Sequence, residues 1–354
     1  MQKIVIIMFS LLSLWGCSRS PTRTVTDHFD GAHFFNPTYP KSFAPSVSDA
    51  FRLIIDKRSV WPDKVENTAT PLLNEELQSN EVAVTYVNHA TFLIQLAGLN
   101  ILTDPVWADH AGPFGRIGPS RVRVPGVALD DLPNIDVILI SHNHYDHLDM
   151  GTLKRLAQKF TSTVLVPIGD KELVESAGFR DVREMDWWED TVISQELNVA
   201  FTPTQHFSRR GLFDLQRSLW GSYLIKGAGQ KIYFGGDAGY SIHFSEIKKR
   251  LGTPDIALLG IGGYEPRWFM QPIHMNPAEA VQAHFDLGAR QSIAMHFGTF
   301  QLSSEPIDQP VSDLVNELTK QRGLKDKFVV LKEGETRVFP SVGEDGKMAL
   351  QSHL

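Results

Sequence analysis

Residues 141–147, with the sequence SHNHYDH, constrain this chain most, because four potential metal ligands stand within six residues: His142, His144, Asp146 and His147. They directly follow an apolar run, residues 137–140, which the pattern predicts to be a buried strand. A loop at the end of a buried strand is held still by the sheet, as a ligand set requires. A tetrahedral zinc site uses only three or four such donors. Four donors from one loop, with others later in the chain, therefore indicate two metals.

Cys17 is the only cysteine of the chain. No intramolecular disulfide can form, and no thiolate is available to a metal site in the region of the histidines. The ligands must therefore be nitrogen and oxygen. This favours two divalent zinc ions (Zn2+), with manganese or iron as open alternatives.

The first sixteen residues are typical of a leader that is separate from the fold. Lys3 precedes an apolar stretch at 4–14 that is too short to span a bilayer as a helix. Residues 14–17 (LWGC) look like a bacterial lipoprotein cleavage site, with Cys17 as the lipidated residue. An uncleaved anchor and a plain secretory signal are the alternatives. We therefore expect a protein of the bacterial cell envelope, anchored by lipid on the periplasmic side, with Ser18 compatible with the outer membrane.

The formal net charge is −7, and no run of lysine or arginine stands out. A bulk nucleic-acid binder would show a basic face, so nucleic acid is not an expected partner. The overall charge gives no attraction to an anionic membrane either, so an acyl chain on Cys17 would make the membrane attachment.

The composition changes along the chain and predicts four segments. These are a signal peptide at 1–16, a tether and N-terminal extension at 17–80, a hydrolase domain at 81–340 and a tail at 341–354. A helix is predicted at 48–56 in the extension. In the domain, strands are predicted at 82–87, 91–96, 99–103, 137–140, 164–166, 199–202, 221–225, 231–234, 256–259, 292–295, 329–331 and 336–339, and helices at 151–160, 170–177, 244–251 and 277–287. Strands followed by strand–helix alternation, twice over, predict two related α/β halves around packed sheets.

Three further candidate ligands, His206, Asp237 and His296, each stand just past an apolar run. Taken singly, each is more often a structural residue, but with the first motif they give five histidines and two aspartates. His274 precedes a predicted helix whose N-cap is Asn276, a position that favours anions, so it is a candidate for phosphate contact or for leaving-group protonation. A purely structural role for His274 stays open.

Several other side chains near these motifs have candidate roles. Tyr145 and Asp146 are candidates for catalytic contacts, with packing as the alternative for Tyr145. Asp104 and His89 are candidates for orienting the ligand imidazoles, with capping of its own turn as the alternative for His89. An aromatic set could form an acyl-chain surface, although such sets are more often core: Trp187, Trp188, Trp268, Phe269 and Met270.

The ligands in this order resemble the metallo-β-lactamase superfamily. The resemblance implies an α/β fold, a four-layer αβ/βα sandwich with a binuclear site at one edge of its sheets. It also implies that one metal is held by His142, His144 and His206, that the other is held by Asp146, His147 and His296, and that Asp237 bridges them.

A narrower resemblance points to the family of N-acyl-phosphatidylethanolamine-hydrolysing phospholipase D and its bacterial relatives. The matching stretches are 88–91 (NHAT), 102–105 (LTDP), 141–149, 186–189 (DWWE), 219–222 (LWGS), 264–270 (YEPRWFM) and 295–300 (MHFGTF). It covers about residues 33–339, and the lipoprotein-like leader is where this chain departs from the family. The resemblance implies a phospholipid substrate and a phospholipase D-type phosphodiesterase.

The chemistry of the ligand set suits this reaction. Two divalent ions would lower the pKa of bound water toward about 7 and so supply a nucleophile. That hydroxide would attack the phosphodiester of N-acyl-phosphatidylethanolamine or a related lipid, giving phosphatidic acid and N-acylethanolamine. The alternatives are a metal-dependent lactonase or ester hydrolase, and a non-catalytic envelope lipoprotein in which the metals staple the fold.

Overall fold

The computed structural model describes residues 23–39, 48–49, 52, 56, 58–73, 77, 81–321 and 323–340. The predicted signal peptide at 1–16, the lipidation site Cys17 and the tail at 341–354 lie outside the described residues. Of the helix predicted at 48–56, residues 48, 49 and 52 are described as helical, and most of the rest lies outside the description.

Two seven-stranded mixed sheets dominate the described part of the chain. In spatial order the first sheet contains β14 (Thr336–Phe339), β1 (Val82–Asn88), β2 (Thr91–Leu96), β3 (Leu99–Thr103), β4 (Val137–Leu139), β5 (Thr163–Pro167) and β6 (Asp181–Met185). The second contains β13 (Phe328–Val329), β12 (Gln291–Met295), β11 (Ile256–Gly260), β10 (Gln230–Phe234), β9 (Ser222–Gly227), β8 (Leu197–Thr202) and β7 (Asp190–Ser194). In each sheet one half is antiparallel and the other half is parallel.

The helices cover the outer faces of the two sheets. Residues of α1 (Met150–Lys159) and α2 (Lys171–Glu175) pack on the first sheet. Residues of α3 (His243–Leu251), α5 (Pro277–Leu287) and α6 (Gln309–Lys320) pack on the second, and the short α4 (Arg267–Met270) precedes α5. The predicted four-layer αβ/βα sandwich is therefore confirmed. Within the described ranges, no helix combines the length and apolar character needed to cross a bilayer.

Strand periodicity explains why the layers form. On β2, Phe92 and Ile94 point into the core between the sheets, while Leu93 between them packs under the helices. On β11, Ile256 and Leu258 face the same central core, and Ala257 faces the helices. Successive side chains point to opposite faces of a sheet, so a strand covered on both sides is apolar throughout. The continuous apolar runs of the sequence are the result.

Four elements, β6, β7, α4 and α6, were not predicted from the sequence. Strand β6 carries Asp181, Arg183 and Glu184 among its five residues, because it is the edge of its sheet and one face is solvated. Helix α6 buries only Pro310, Leu314 and Leu318, a narrow stripe that packs it on the protein. A search at helical spacing would have found α6, whereas β6 has no comparable signal.

The topology brings the predicted ligands to one edge of the sandwich. The 141–147 loop follows β4, and His206 follows β8 by a few residues. Asp237 comes shortly after β10, and His296 comes directly after β12. The ends of these strands meet at the same rim, which is why ligands far apart in sequence converge.

Candidate metal centre

Seven predicted ligands and His89 converge into two compact groups. In each group one nitrogen or carboxylate oxygen from every residue lies within 4.8 Å of all the others. The first group contains His142, His144, His206 and Asp237. The second contains His89, Asp146, His147 and His296. The division follows the ligand sets that the resemblance implied, with His89 as an added member.

Asp237 lies between the two groups. Its Oδ2 is 3.8 Å from His142 Nε2 and 3.7 Å from His206 Nε2 in the first group. The same oxygen is 3.2 Å from His147 Nε2, and Oδ1 is 3.2 Å from His296 Nε2. The carboxylate therefore reaches members of both groups, which is the position of a bridging ligand.

The unsatisfied atoms of this cluster fit a pair of cations. Among the described residues, His147 Nε2, His296 Nε2 and Asp237 Oδ1 are buried and have no hydrogen-bond partner. Burying a polar atom without a hydrogen-bond partner is unfavourable. Here the Nε2 atoms of both histidines lie 3.2 Å from oxygens of the Asp237 carboxylate. Imidazole nitrogens and carboxylate oxygens are donors for divalent metals. The cluster is therefore a divalent-metal site.

Burial and charge set the protonation states of the ligands. Burial lowers the pKa of His142 well below its usual value, that of His144 to about 4 and that of His206 to about 3, so these imidazoles are neutral and able to ligate. Burial opposes protonation of His147 and His296 too, but the carboxylates of Asp237 and Asp146 outweigh it. They raise the pKa of His147 well above its usual value and that of His296 to about 9. The buried carboxylates of Asp146 and Asp237 favour positive charge nearby, and divalent cations would supply it.

Asp104 ties the metal loop to the first sheet. Its Oδ1 accepts from the Ser141 backbone N–H at 2.7 Å, and its Oδ2 accepts from the Ser141 hydroxyl at 2.6 Å. Oδ2 also lies 2.7 Å from Nδ1 of His147, which donates to it. With a proton on Nδ1, the Nε2 of His147 is free to ligate. Asp104 thus fixes both the start of the loop and the tautomer of one ligand, and Ser141 is structural.

His89 contacts two members of the second group, Asp146 and His296. Its turn follows β1, where the residue adopts a φ of 47°. The Nε2–H of the ring donates to Asp146 Oδ2 at 3.0 Å, and the ring packs 4.1 Å from that of His296. Burial lowers the pKa of His89 to about 3, so the ring is neutral. It contacts the carboxylate of Asp146, whereas the predicted role was to orient the ligand imidazoles.

Two glycines permit the close approach of loops around the cluster. Gly236, beside Asp237, has a φ of 54°, and a Cβ there would lie 2.7 Å from Ser141 Cβ. Gly263 has a φ of 79°, and a Cβ there would lie 3.3 Å from the His296 ring and 3.4 Å from that of His274. A side chain at either position would displace the metal loop or the candidate catalytic histidine.

His274 lies beside the cluster, and the hydroxyl of Tyr145 is bonded to the backbone of Arg210. The His274 ring stacks 5.0 Å from that of His296, with Nδ1 3.9 Å from Asp237 Oδ2. Asn276 and Glu279 form the capping box of α5, so the helix N-terminus lies where the sequence predicted it. The Tyr145 hydroxyl donates to the Arg210 carbonyl at 2.9 Å. A phosphate contact by Tyr145 would require that bond to be released.

The predicted aromatic surface is divided between separate parts of the fold. Trp187 is part of the core between the sheets, and its Nε1 donates to the Trp220 carbonyl. Trp268 lies under the Arg52 guanidinium, and its Nε1 donates to Asp56. These rings do not share one patch, in accordance with the more common structural role of such residues.

Three residues that support the cluster carried no sequence signal. Arg210 donates to the carbonyl of Asn143, within the metal loop, and to that of Leu148, directly after it. Asp170 accepts from Asn143 Nδ2 at 3.0 Å. The buried Glu305 accepts from the backbone N–H groups of 263–265, next to His274. Each contact joins segments distant in sequence, so no spacing could reveal it.

Asp170 should make the stability of the protein depend on pH. Burial raises the pKa of its carboxyl to about 7, above the unfolded value of 3.8. Its contribution is therefore fully present below the unfolded pKa and is lost as pH rises through the folded pKa. Between about pH 5.5 and about pH 8 the parent should lose about 2 kcal/mol of unfolding free energy that the Asp170→Asn variant keeps. Denaturant unfolding of both proteins at the two pH values measures this difference, and parallel curves would contradict it.

Comparison with known proteins agrees with this geometry. Residues 99–297 match the family model of the β-lactamase superfamily domain. The chain is 35% identical over 321 residues to "N-acyl-phosphatidylethanolamine-hydrolyzing phospholipase D 1" of Caenorhabditis elegans, covering 84% of this chain and 90% of that protein. It is 35% identical to the mitochondrial enzyme of that description from Saccharomyces cerevisiae, covering 78% of this chain and 63% of the yeast protein.

Solved structures share the fold. An isothiocyanate hydrolase from Delia radicum gut bacteria superposes with a TM-score of 0.58 at 22% identity, over 73% of this chain and 100% of that chain. The metallo hydrolase Igni18 from Ignicoccus hospitalis superposes with a TM-score of 0.56 at 21% identity, over 73% and 98% of the two chains.

Proposed function

Because the chain belongs to the metallo-β-lactamase superfamily and is a metal-dependent hydrolase related to N-acyl-phosphatidylethanolamine-hydrolysing phospholipase D, we propose that it cleaves N-acyl-phosphatidylethanolamine or a similar phospholipid. The oxygen of water would form a bond to phosphorus as the P–O bond to the ethanolamine oxygen breaks, and a proton from the water would pass to that departing oxygen. The products would be phosphatidic acid and N-acylethanolamine. The observation that carries this proposal is the pair of ligand groups joined by Asp237, in a chain similar to such an enzyme over most of its length.

We propose two zinc ions as the cofactors, held by the two groups with Asp237 shared between them. When bound, such ions supply Lewis acidity toward phosphate oxygens and a nucleophile at neutral pH. A cationic site of this kind suits an anionic phosphodiester.

The chain's own residues would admit and orient the substrate. His144, Tyr145 and Asp146 are partly exposed, whereas His142, His147 and His296 are buried, so the cluster opens on the Tyr145 side. His274 lies beside His206 and His296, where its imidazole can hydrogen-bond to the phosphate or the departing alcohol oxygen. Asp104 and His89 would keep the ligands in place while substrate enters.

The location of the protein is a separate proposal. We propose that Cys17 carries an acyl anchor that holds the enzyme on the periplasmic side of the bacterial envelope, with the outer membrane favoured by Ser18. The support is the leader sequence alone. Metabolic labelling with a radioactive fatty acid should mark the parent and fail to mark a Cys17→Ala variant.

A hydrolysis assay tests the proposed function. The purified full chain, in detergent, is offered N-acyl-phosphatidylethanolamine and a panel of lactones, with and without a chelator, and its metal content is measured. We expect about two metals per chain and chelator-sensitive release of N-acylethanolamine and phosphatidic acid. Lactone opening without phosphodiester cleavage would identify the ester-hydrolase alternative. Bound metal without turnover of any compound would instead favour the non-catalytic alternative, in which the metals only stabilise the fold.

A further inference from the structure

Two loops present large apolar side chains to solvent. On the loop at 111–119, the side chains of Phe114 and Ile117 are 91% and 58% exposed. On the loop at 209–214, those of Leu212 and Phe213 are 80% and 88% exposed. Single exposed apolar residues are ordinary, but four at the tips of two loops mark an interaction site.

Both loops lie beside the metal loop at 141–147. Phe114 and Arg210 line the same cavity, of about 420 Å³, and Tyr145 of the metal loop lines it too. The second loop begins three residues after the candidate ligand His206, and the intervening Phe207 packs 4.6 Å from the His144 ring. A surface that binds these loop tips would therefore lie beside the metal loop, close to His144 on the side of the second loop.

The backbone of each loop is held in place. The first is closed by the Ala111 N–H, which donates to the Pro119 carbonyl, and Phe114 at its tip adopts a φ of 60°, unfavourable for an aromatic residue. In the second, the Asp214 carboxylate accepts from the N–H groups of Arg210 and Gly211. The apolar tips are thus presented by ordered turns, which reduces the entropy lost on docking.

The charge around the cavity is opposite to that of the whole chain. The exposed cations Arg116 and Lys154 line it, whereas Arg210 donates inward to backbone carbonyls in and directly after the metal loop. The one carboxylate in the lining, Asp149, is largely buried and accepts from the Ala108 and Gly151 N–H groups. The chain as a whole carries −7. Apolar tips surrounded by cations match the headgroup region of an anionic bilayer, where side chains enter the interface and cations meet phosphate.

We propose that these two loops, at 111–119 and 209–214, dock on the surface of an anionic phospholipid bilayer and set the metal centre against it. The inference rests on the proposed phospholipid substrate, which such docking would deliver directly to the Tyr145 side of the site. The net negative charge of the chain would repel an anionic membrane, but the exposed cations and apolar side chains near these loops would bind it locally.

Site-specific fluorescence tests the docking without any turnover. In the full chain with Cys17→Ala, a single cysteine is introduced by Phe213→Cys or Phe114→Cys and labelled with the fluorophore NBD. The control is Val192→Cys, at an exposed position on the edge strand β7. With vesicles of phosphatidylcholine and phosphatidylglycerol, the loop probes should shift to shorter wavelength and be quenched by lipids carrying a spin label in the acyl chain, and the control should not. Replacing phosphatidylglycerol by phosphatidylcholine should weaken binding about tenfold.

Two results would overturn the inference. One is loop probes that respond to vesicles no more than the control does. The other is a shift that follows protein concentration without vesicles, which would assign the tips to contact between copies of the chain.

Kinetics separates this inference from the proposed function. The Phe114→Ser/Phe213→Ser variant should lose about tenfold or more in kcat/KM on vesicle-bound N-acyl-phosphatidylethanolamine, but keep its activity on a short-chain, monomeric phosphodiester. The aromatic control Phe285→Ser, on the last turn of α5, should change neither. If no phosphodiester is cleaved, the proposed function fails while the fluorescence still decides the docking. Equal losses on both substrates would refute the docking.

Discussion

Alanine in place of His144 is expected to lower phosphodiester hydrolysis by at least about 10³-fold while leaving the fold largely intact. His144 Nδ1 lies 2.9 Å from His142 Nε2 and 3.2 Å from His206 Nε2, so its loss opens the first ligand group. A metal that polarises phosphate and supplies the nucleophile contributes several kcal/mol to the barrier, and each 1.4 kcal/mol is about tenfold in rate. The side chain is only partly buried, so the substitution leaves no large core cavity.

Metal content, kcat/KM and unfolding free energy should be measured together on this variant. The matched control is His284→Ala, which removes a buried histidine on helix α5. Its Nδ1 lies 2.8 Å from the hydroxyl of Ser292, at the end of β12 away from His296. That control should lose stability but keep metal and activity. If His144→Ala instead unfolds the protein in proportion to metal loss, with His284→Ala unremarkable, the metals are a structural staple and the catalytic reading is wrong.

The sequence predicted the ligands because their signal is local. The 141–147 motif, and His206, Asp237 and His296 beyond apolar runs, could be read without coordinates, since strand ends expose side chains at the rim of a sheet. The sandwich followed from strands that are apolar throughout and so must be covered on both faces. His89 was a candidate for orienting ligand imidazoles, and in the structure it bonds the carboxylate of Asp146 instead.

The contacts that position the cluster could not be predicted in the same way. Arg210, Asp170 and Glu305 act through carbonyls, amides and N–H groups of distant segments, and such pairs leave no periodic pattern. The aromatic set was expected to be core more often than an acyl-chain surface, and Trp187 is core. Trp187 fills the core, whereas Phe114 stands alone and Leu212 and Phe213 stand as one adjacent pair among glycines and arginines. Burial, and not the number of rings, distinguishes the two sets.

Asparagine in place of Asp104 is expected to disable the second ligand group without removing any ligand. The amide oxygen can still accept from the Ser141 N–H, but the amide nitrogen then takes the place of Oδ2, 2.7 Å from His147 Nδ1. An N–H group there makes Nδ1 an acceptor and moves the ring proton to Nε2, the atom aimed at Asp237. A protonated Nε2 cannot ligate, so metal affinity should fall by about 10- to 100-fold or more, with activity falling alongside.

The control for Asp104→Asn is Asp170→Asn, the same change at a second buried aspartate bonded to the same loop. Asp170 contacts Asn143, which is not a ligand, so that variant should keep both metals and near-parental kcat/KM. Metal titration, with stability measured in the metal-free state, distinguishes a tautomer effect from general loosening of the loop. Equal losses of metal affinity in the two variants would show that the loop is merely loosened. A loss confined to Asp104→Asn, with the metal-free protein still folded, would show that one carboxylate fixes the protonation of a ligand.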